Sequence, residues 1–134
     1  MDDAVRTLLT TTKTWAVVGC SPDPARDSHE VAALLQSRGF RVIPVNPSED
    51  EILGEGCYPS LAAIPAELDV EVVDVFRRSE AAGAHVDEAI AIGAKGVWLQ
   101  LGVVDHAAAA RASAAGLQVV MDRCPAIELP RLAG

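Results

Sequence analysis

The stretch WAVVGCSPDPARDS (15–28) joins an apolar run to the start of a helical pattern through one glycine and a proline-containing loop. Apolar residues that do not alternate with polar ones are typical of a strand covered on both faces. In the following segment, Ser28–Arg38, the residues Val31, Leu34 and Leu35 share one helical face. We therefore predict a strand–loop–helix unit, the unit from which parallel sheets are built.

The same alternation runs through the rest of the chain. Apolar runs predict five strands, at Trp15–Cys20, Arg41–Asn46, Glu71–Phe76, Gly96–Leu101 and Gln118–Met121. Helical patterns fill Ser28–Arg38, Ser79–Ile92 and Asp105–Ala115, with capping residues expected at Asp27 or Ser28, at Ser79 and at Asp105. The pattern predicts one α/β domain over residues 1–134, a doubly wound, five-stranded parallel sheet in the order 3-2-1-4-5 with helices on both faces.

Two segments fall outside this alternation. The first dozen residues predict an extra helix through Val5, Leu8 and Leu9. The segment Ser48–Pro65 is rich in proline, glycine and acidic residues, which predicts an irregular crossover with at most a short helix near Ser60–Ile64.

The charge balance limits the kinds of partner. The 134 residues include 11 Lys and Arg against 19 Asp and Glu, which gives a formal net charge of −8. Nucleic acids and anionic membranes are bound by basic surfaces that neutralise phosphates, so neither is expected as a partner unless positive charge is concentrated locally. Since 50% of the residues are hydrophobic, the chain can form a packed core.

The cysteines indicate a reducing environment. Cys20, Cys57 and Cys124 are an odd number without a CxxC pair, which argues against a disulfide-bonded secreted fold and a closed zinc site. The N-terminus, MDD, lacks the segments of a signal peptide, and no apolar run approaches the length of a membrane span. We therefore expect a soluble cytoplasmic protein.

Ligands of open parallel sheets bind beyond the carboxyl ends of the strands, so the residues after each strand are the candidate site. After the first strand, one glycine permits close backbone approach, and the free N–H groups of the following helix favour an anion. The loop is neither GxGxxG nor a Walker A loop, and an ordinary strand-to-helix turn is the alternative interpretation. The candidate residues here are Gly19, Cys20, Ser21, Pro22, Arg26 and Ser28.

The ends of the next strands offer neutral groups. Val45–Pro47 lacks the acidic residue that normally binds the ribose of a nicotinamide dinucleotide, which suits a phosphorylated ribose, although a simple Asn-Pro turn is the alternative. Phe76 either lies against an adenine or fills the core. The amide of Gln100 either meets the amides of an extended ligand or binds the loop backbone.

Four arginines follow strands of this acidic chain: Arg26, Arg77, Arg78 and Arg123. The guanidinium fork matches two phosphate oxygens at a time, so such a cluster predicts a phosphate-bearing ligand. The alternative is that these arginines are surface residues paired with Asp23, Asp27, Asp74 or Asp122.

No convincing catalytic set is present. The histidines, His29, His85 and His106, belong to separate elements without metal-ligand spacing and are expected at the surface. Cys20 is either a nucleophile near a helix N-terminus or a buried thiol. Asp74 and Asp122 could act together only if their carboxylates converge.

Seven motifs occur in order between Thr14 and Leu132: WAVVGCSP (15–22), RDSH (26–29), RVIPVNP (41–47), GEGCYPSL (54–61), DVFRR (74–78), VWLQLG (97–102) and VMDRCP (120–125). Together they resemble the stand-alone CoA-binding domain proteins. Those proteins are similar in fold to the N-terminal CoA-binding domain of the succinyl-CoA synthetase alpha subunit.

The resemblance implies a Rossmann-like domain that binds the nucleotide cofactor coenzyme A. The implied phosphate contacts are the Gly19–Ser28 loop, Arg77 and either Arg26 or Arg78; the implied adenosine contacts are Val45, Asn46, Pro47, Val75 and Phe76; and the implied pantetheine contacts are Gln100, Leu101 and Gly102. The synthetases use a phosphorylated histidine on a further domain, which this sequence does not include, so the resemblance implies binding without catalysis.

The leading hypothesis is therefore a CoA or acyl-CoA binding module that acts as a carrier, sensor or partner subunit. An NAD(P)-binding redox enzyme or sensor on the same fold is the alternative, against which the uncharged Asn46 counts. A third hypothesis is a mixed disulfide between CoA and Cys20 or Cys124. The sequence leaves open a protein partner, a weak homo-oligomer and the identity of any acyl group.

Overall fold

The computed structural model describes residues 2–133, so residues 1 and 134 of the predicted domain lie outside it. Its elements in chain order are α1 (Asp3–Thr11), β1 (Thr14–Val18), α2 (Asp27–Ser37), β2 (Arg41–Val45), β3 (Glu51–Ile52), β4 (Glu55–Gly56), β5 (Val72–Val75), α3 (Ser79–Ala91), β6 (Gly96–Leu99), α4 (His106–Ala114), β7 (Gln118–Val120) and α5 (Pro125–Ala133), with a 3-10 turn at Ala66–Leu68.

The five predicted strands form one parallel sheet in the order β2-β1-β5-β6-β7. Each pair is in parallel register, as in Trp15 opposite Val42 on one side of β1 and Val72 on the other. The prediction of a five-stranded parallel α/β fold is confirmed. The strands are shorter than predicted because residues such as Gly19 and Phe76 already belong to the loops that follow.

The predicted strand order was wrong. The prediction placed the third strand outside the second, whereas β5 pairs with β1, so the order of the predicted strands is 2-1-3-4-5. The physical reason is Pro44 in β2, which has no N–H to donate and is tolerated only at a sheet edge. Its carbonyl faces away from the sheet and accepts from the backbone N–H of Tyr58 at 3.1 Å. The outer side of β2 is therefore closed by a loop.

Alternate residues of each strand pack into two separate cores, one on each face of the sheet. Trp15 and Val17 face a layer formed by α1, α2 and α5, in which Trp15 packs against Trp98 with ring centroids 5.5 Å apart. Ala16 and Val18 face α3 and α4, which are lined with small side chains such as Ala82, Ala89, Ala108 and Ala112. Both faces of the sheet are thus covered, as the unbroken apolar strands indicate.

The helix ends differ in detail from prediction. Asp105 caps α4 as expected, because its carboxylate accepts from the N–H of Ala108 at 3.0 Å. Ser28 lies inside α2 and accepts from the N–H of Ser21 at 2.9 Å, while Ser79 is the first residue of α3 and accepts from the N–H of Val104 at 2.9 Å. Both hydroxyls therefore hold neighbouring loops instead of capping their helices.

The crossover after β2 contains the two-stranded hairpin of β3 and β4, which the sequence did not predict. Ser60–Ile64 forms turns, and the short helical turn lies further on, at Ala66–Leu68. Helix α5 was also missed; its first residue is Pro125, a position where the absent N–H is not needed. No helix among residues 2–133 has the length and apolarity of a membrane span.

Candidate functional site

The order of the sheet reverses between β1 and β5, and their following helices, α2 and α3, pack on opposite faces. A crevice opens beyond the carboxyl ends of two such strands. Gly19 forms its floor with a φ of +82°, and a Cβ on this residue would lie 2.5 Å from the carbonyl oxygen of Phe76. Only glycine fits here, because both the backbone conformation and the close approach exclude a side chain.

The loop after Gly19 is held by its own side chains. Ser28 Oγ accepts from the N–H of Ser21 (2.9 Å), Ser21 Oγ from that of Asp23 (3.1 Å) and Asp23 Oδ1 from that of Ala25 (2.9 Å). The backbone N–H groups of Asp27 and Ser28, at the start of α2, have no acceptor among the described residues. The loop thus presents an open helix N-terminus, which favours an anion.

Three adjoining cavities form one groove along this edge of the sheet. A polar cavity of about 410 Å³ shares Gly19, Ser21 and Arg26 with a central loop cavity of about 350 Å³. The loop cavity in turn shares Asp27 and Phe76 with an apolar cavity of about 640 Å³. The groove therefore runs from the end of β2, across the start of α2, to the surface between α2 and α5.

The polar cavity contains the predicted residues Val45, Asn46 and Pro47. The amide of Asn46 joins two loops: its Nδ2 donates to the carbonyl of Cys20 at 2.9 Å, and its Oδ1 accepts from the N–H of Ser48 at 2.8 Å. Asn46 therefore makes the Asn-Pro turn and at the same time shapes the wall of the groove.

Two of the four arginines reach the groove. Arg26 and Arg77 line the polar cavity, and neither has a carboxylate within 4.0 Å among residues 2–133. Arg78 instead forms an exposed pair with Glu80 (3.5 Å), a contact that contributes little in water. Arg123 is exposed and lines none of the three cavities. The structure thus concentrates unpaired positive charge at one end of the groove.

The apolar cavity lies between α2 and α5 and is lined by Val31, Leu34, Phe76, Leu101, Cys124 and Ala126, with Gln100 as its buried polar group. With its amide nitrogen turned toward Asp74, Gln100 donates to Oδ1 at 2.9 Å and to Oδ2 at 3.2 Å. Asp74 is fully buried, and this burial raises the pKa of its carboxyl group well above the usual value. Asp74 therefore fixes the Gln100 side chain from behind the cavity wall.

Four further predicted site residues, Cys20, Pro22, Val75 and Gly102, line none of the three cavities. Cys20 and Val75 are fully buried, and Pro22 is exposed on the loop. Gly102 is exposed, and its N–H donates to Asp122 Oδ1 at 2.7 Å. Phe76, expected near an adenine or in the core, is half-buried and lines both the loop cavity and the apolar cavity.

The groups considered for catalysis do not converge. Asp74 contacts Gln100, whereas Asp122 is exposed and bonded to Gly102. Burial raises the pKa of the Cys20 thiol to about 12, so this residue is not a thiolate at neutral pH. In the part of the chain that the structure describes, no three His, Cys, Asp or Glu residues converge to hold a metal ion.

Sequence reasoning missed part of the walls of the groove. The polar cavity also contains Ser48, Pro59, Ser60 and Leu61 of the crossover loop and His85 and Glu88 of α3, and the apolar cavity also contains Glu30, Val31, Ala33 and Leu34 of α2 and Ala126 of α5. The helical period places the helix residues near a core face but does not say which of them border a crevice, and the crossover loop has no period.

The chain matches the family model of the CoA binding domain over residues 13–130. It is 38% identical over 120 residues to the uncharacterized protein YneT of Bacillus subtilis, covering 90% of this chain and 87% of that protein. A hypothetical protein from Pyrococcus horikoshii has the same fold, with a TM-score of 0.92, 42% identity and coverage of 100% of this chain and 93% of that one.

Larger enzymes contain a similar region. An ADP-forming acetate–CoA ligase of Archaeoglobus fulgidus is 37% identical over 65 residues, which are 47% of this chain and 10% of the ligase. An acetyl-coenzyme A synthetase of Korarchaeum cryptofilum matches with a TM-score of 0.73 and 25% identity over 87% of this chain and 27% of the synthetase. The resemblance noted in the sequence is confirmed, and the chain belongs to the CoA binding domain family.

Proposed function

We propose that this protein binds coenzyme A or an acyl-CoA in the groove, without catalysis of its own, as a carrier, a sensor or the partner subunit of another protein. The observation that carries the proposal is the order of chemistry along the groove. Unpaired arginines come first, an open helix N-terminus second and an apolar cavity last. CoA has its groups in the same order: a phosphorylated adenosine, a diphosphate and a pantetheine arm that ends in a thiol.

Each part of the groove suits one part of this ligand. Asn46 and Pro47 border the adenosine in the polar cavity, with Arg77 beside it. The N-terminus of α2 and Arg26 receive the diphosphate, because backbone N–H groups and guanidinium forks both bind phosphate oxygens. Gln100 offers its amide to the pantetheine amides, while the apolar walls cover its methylene groups.

Calorimetric titration with CoA, dephospho-CoA and NADH tests the proposal. CoA is expected to bind at least about tenfold more tightly than dephospho-CoA, because the loss of a charge-assisted hydrogen bond costs about 1.5–3 kcal/mol. Equal binding of the two compounds would remove the argument from the arginines. Tighter binding of NADH than of CoA would favour the NAD(P) alternative.

The physiological ligand can be identified directly. Protein purified without denaturation and analysed by native mass spectrometry is expected to retain CoA or an acyl-CoA, whose mass gives the acyl group. Recovery of a nicotinamide dinucleotide instead would contradict the proposal. We assign the protein to the cytoplasm, since Cys20, Cys57 and Cys124 are all free thiols.

We propose a thiol role as a second candidate function, and one observation favours Cys124 over Cys20 for it. Cys124 lines the apolar cavity, which would receive the thiol end of the ligand. In this reaction the Cys124 thiolate attacks one sulfur of CoA disulfide, forms a protein–CoA disulfide and releases one CoA thiolate. Intact-mass analysis after incubation with CoA disulfide should show one adduct that Cys124→Ser removes and Cys20→Ser retains; no adduct at all would exclude the role.

A further inference from the structure

His85 and Glu88 are a polar pair on α3, and both line the polar cavity, although His85 was expected at the surface. Their side chains are 23% and 35% exposed, and His85 Nδ1 lies 2.7 Å from Glu88 Oε1. The neighbouring residues Ala82, Val86 and Ala89 occupy the core face of the same helix. The pair therefore stands at the border between the core and the polar cavity.

The contact with Glu88 determines what His85 can offer to a ligand. A carboxylate accepts hydrogen bonds and does not donate them, so Nδ1 carries the proton in this contact. The other ring nitrogen, Nε2, has no hydrogen-bond partner within residues 2–133. In an imidazolium both ring nitrogens are donors, so protonation of the free Nε2 lets His85 donate a hydrogen bond to a phosphate beside it while Glu88 holds Nδ1–H.

The charges around the polar cavity favour such an anion. The titratable side chains that line it are Arg26 from the β1–α2 loop, Arg77 from the β5–α3 turn, and His85 and Glu88 from α3. The single carboxylate is already engaged by His85, whereas both arginines lack a carboxylate partner among the described residues. The cavity is therefore locally cationic in a chain whose net charge is −8.

The positive charge of the polar cavity is separate from the position proposed for the diphosphate at the N-terminus of α2. The open N–H groups of Asp27 and Ser28 belong to the loop cavity, whereas His85 and Glu88 line only the polar cavity. An occupant that uses both positions must carry a second phosphate at its nucleoside end. We propose that His85, oriented by Glu88 and assisted by Arg77, forms a phosphate-monoester subsite that recognises the 3′-phosphate on the ribose of CoA; this inference rests on the proposed function.

The test compares CoA with dephospho-CoA, which differ only in that phosphate. In His85→Gln, the affinity for CoA should fall about tenfold while that for dephospho-CoA stays within about twofold, as expected for the loss of one charge-assisted contact. Glu88→Gln should lower the same CoA to dephospho-CoA ratio by a smaller factor, because it changes only the group that orients the imidazole. His106→Gln is the matched control, since His106 is exposed on α4 and lines none of the three cavities.

The outcomes separate this inference from the proposed function. If His85→Gln weakens both compounds equally, the residue contacts another part of the ligand, and the subsite is wrong although CoA binding stands. If neither affinity changes, even with a less stable apo protein in urea unfolding, the pair is structural and the inference fails. If the unmodified protein binds neither compound, the proposed function itself fails.

Discussion

The two ends of the groove are built in different ways. The polar cavity takes its charge from exposed side chains on loops, such as Arg26 and Arg77, which have no ion partner among the described residues. The apolar cavity is walled by Val31 and Leu34 of α2 and Ala126 of α5, whose helices also cover the core. The positive charge of the polar end thus comes from loop side chains outside the packed core, whereas the walls of the apolar end belong to helices that form the core.

This difference predicts how substitutions behave. A change at the polar end should lower ligand affinity and leave the free energy of unfolding almost unchanged. A change at the apolar end, or at Gly19 where the two ends meet, should change both the ligand affinity and the free energy of unfolding. Four substitutions test the comparison, in order of decreasing effect on ligand binding.

Gly19→Ala tests the junction that both ends share. The positive φ and the 2.5 Å approach to the Phe76 carbonyl should together cost about 3 kcal/mol of stability and abolish CoA binding. Gly39→Ala is the matched control, because Gly39 also has a positive φ (+91°) but no atom within 4 Å of an added Cβ, and it should cost about 1 kcal/mol. Urea unfolding and calorimetry measure both; equal effects of the two variants would show that the close approach has no consequence.

Arg77→Ala tests the polar end. The affinity for CoA should fall about 10- to 100-fold, the effect of losing a charge-assisted hydrogen bond, while the unfolding free energy of the apo protein changes by less than about 0.5 kcal/mol. Arg123→Ala makes the same change in net charge outside the groove and should leave affinity nearly unchanged. A large loss of stability in Arg77→Ala would instead identify a structural ion pair.

Ala126→Trp tests the apolar end by filling the cavity between α2 and α5. CoA binding should weaken about tenfold, whereas adenosine 3′,5′-bisphosphate, which lacks the pantetheine arm, should bind as before. Calorimetry with the two compounds distinguishes the ends of the groove. Equal weakening of both would show that the apolar cavity does not hold the arm.

Asp74→Asn tests the group behind the apolar wall and should change CoA affinity least, by less than about threefold. Since burial raises the pKa of Asp74, the neutral carboxyl group stabilises the fold fully below about pH 4, where the unfolded chain is also protonated, and this stability is lost as the pH rises toward the folded pKa. Asparagine is neutral throughout, so the stability of the variant relative to the unmodified protein should rise between pH 4.5 and 7, by up to about 1.4 kcal/mol per pH unit.

Urea unfolding at both pH values measures this difference. Asp122→Asn is the control, because Asp122 is exposed and its carboxylate accepts from the N–H of Gly102. A stability difference for Asp74→Asn that does not vary with pH would show that the buried carboxyl is ionised in the folded protein.

Most of the fold could be predicted from the sequence, because each strand of the parallel sheet is a local run of apolar residues. The five apolar runs, the helices between them and the loop after Gly19 all lie where they were expected. The order of the strands was not recovered, although Pro44 was visible as a residue suited only to a sheet edge. The hairpin β3–β4 was missed because strands of two residues show no periodicity.

The sequence alone thus determined the parallel α/β class, the strand ends that carry polar residues and the family. Tertiary structure decided that Arg26 and Arg77 meet in one cavity while Arg78 and Arg123 do not, that His85 faces the same cavity, and that Asp74 is buried behind Gln100. Periodicity and capping act over a few neighbouring residues, so they can be read from the chain. Strand pairing and the convergence of side chains depend on contacts between residues far apart in sequence, which arise only when the chain is folded.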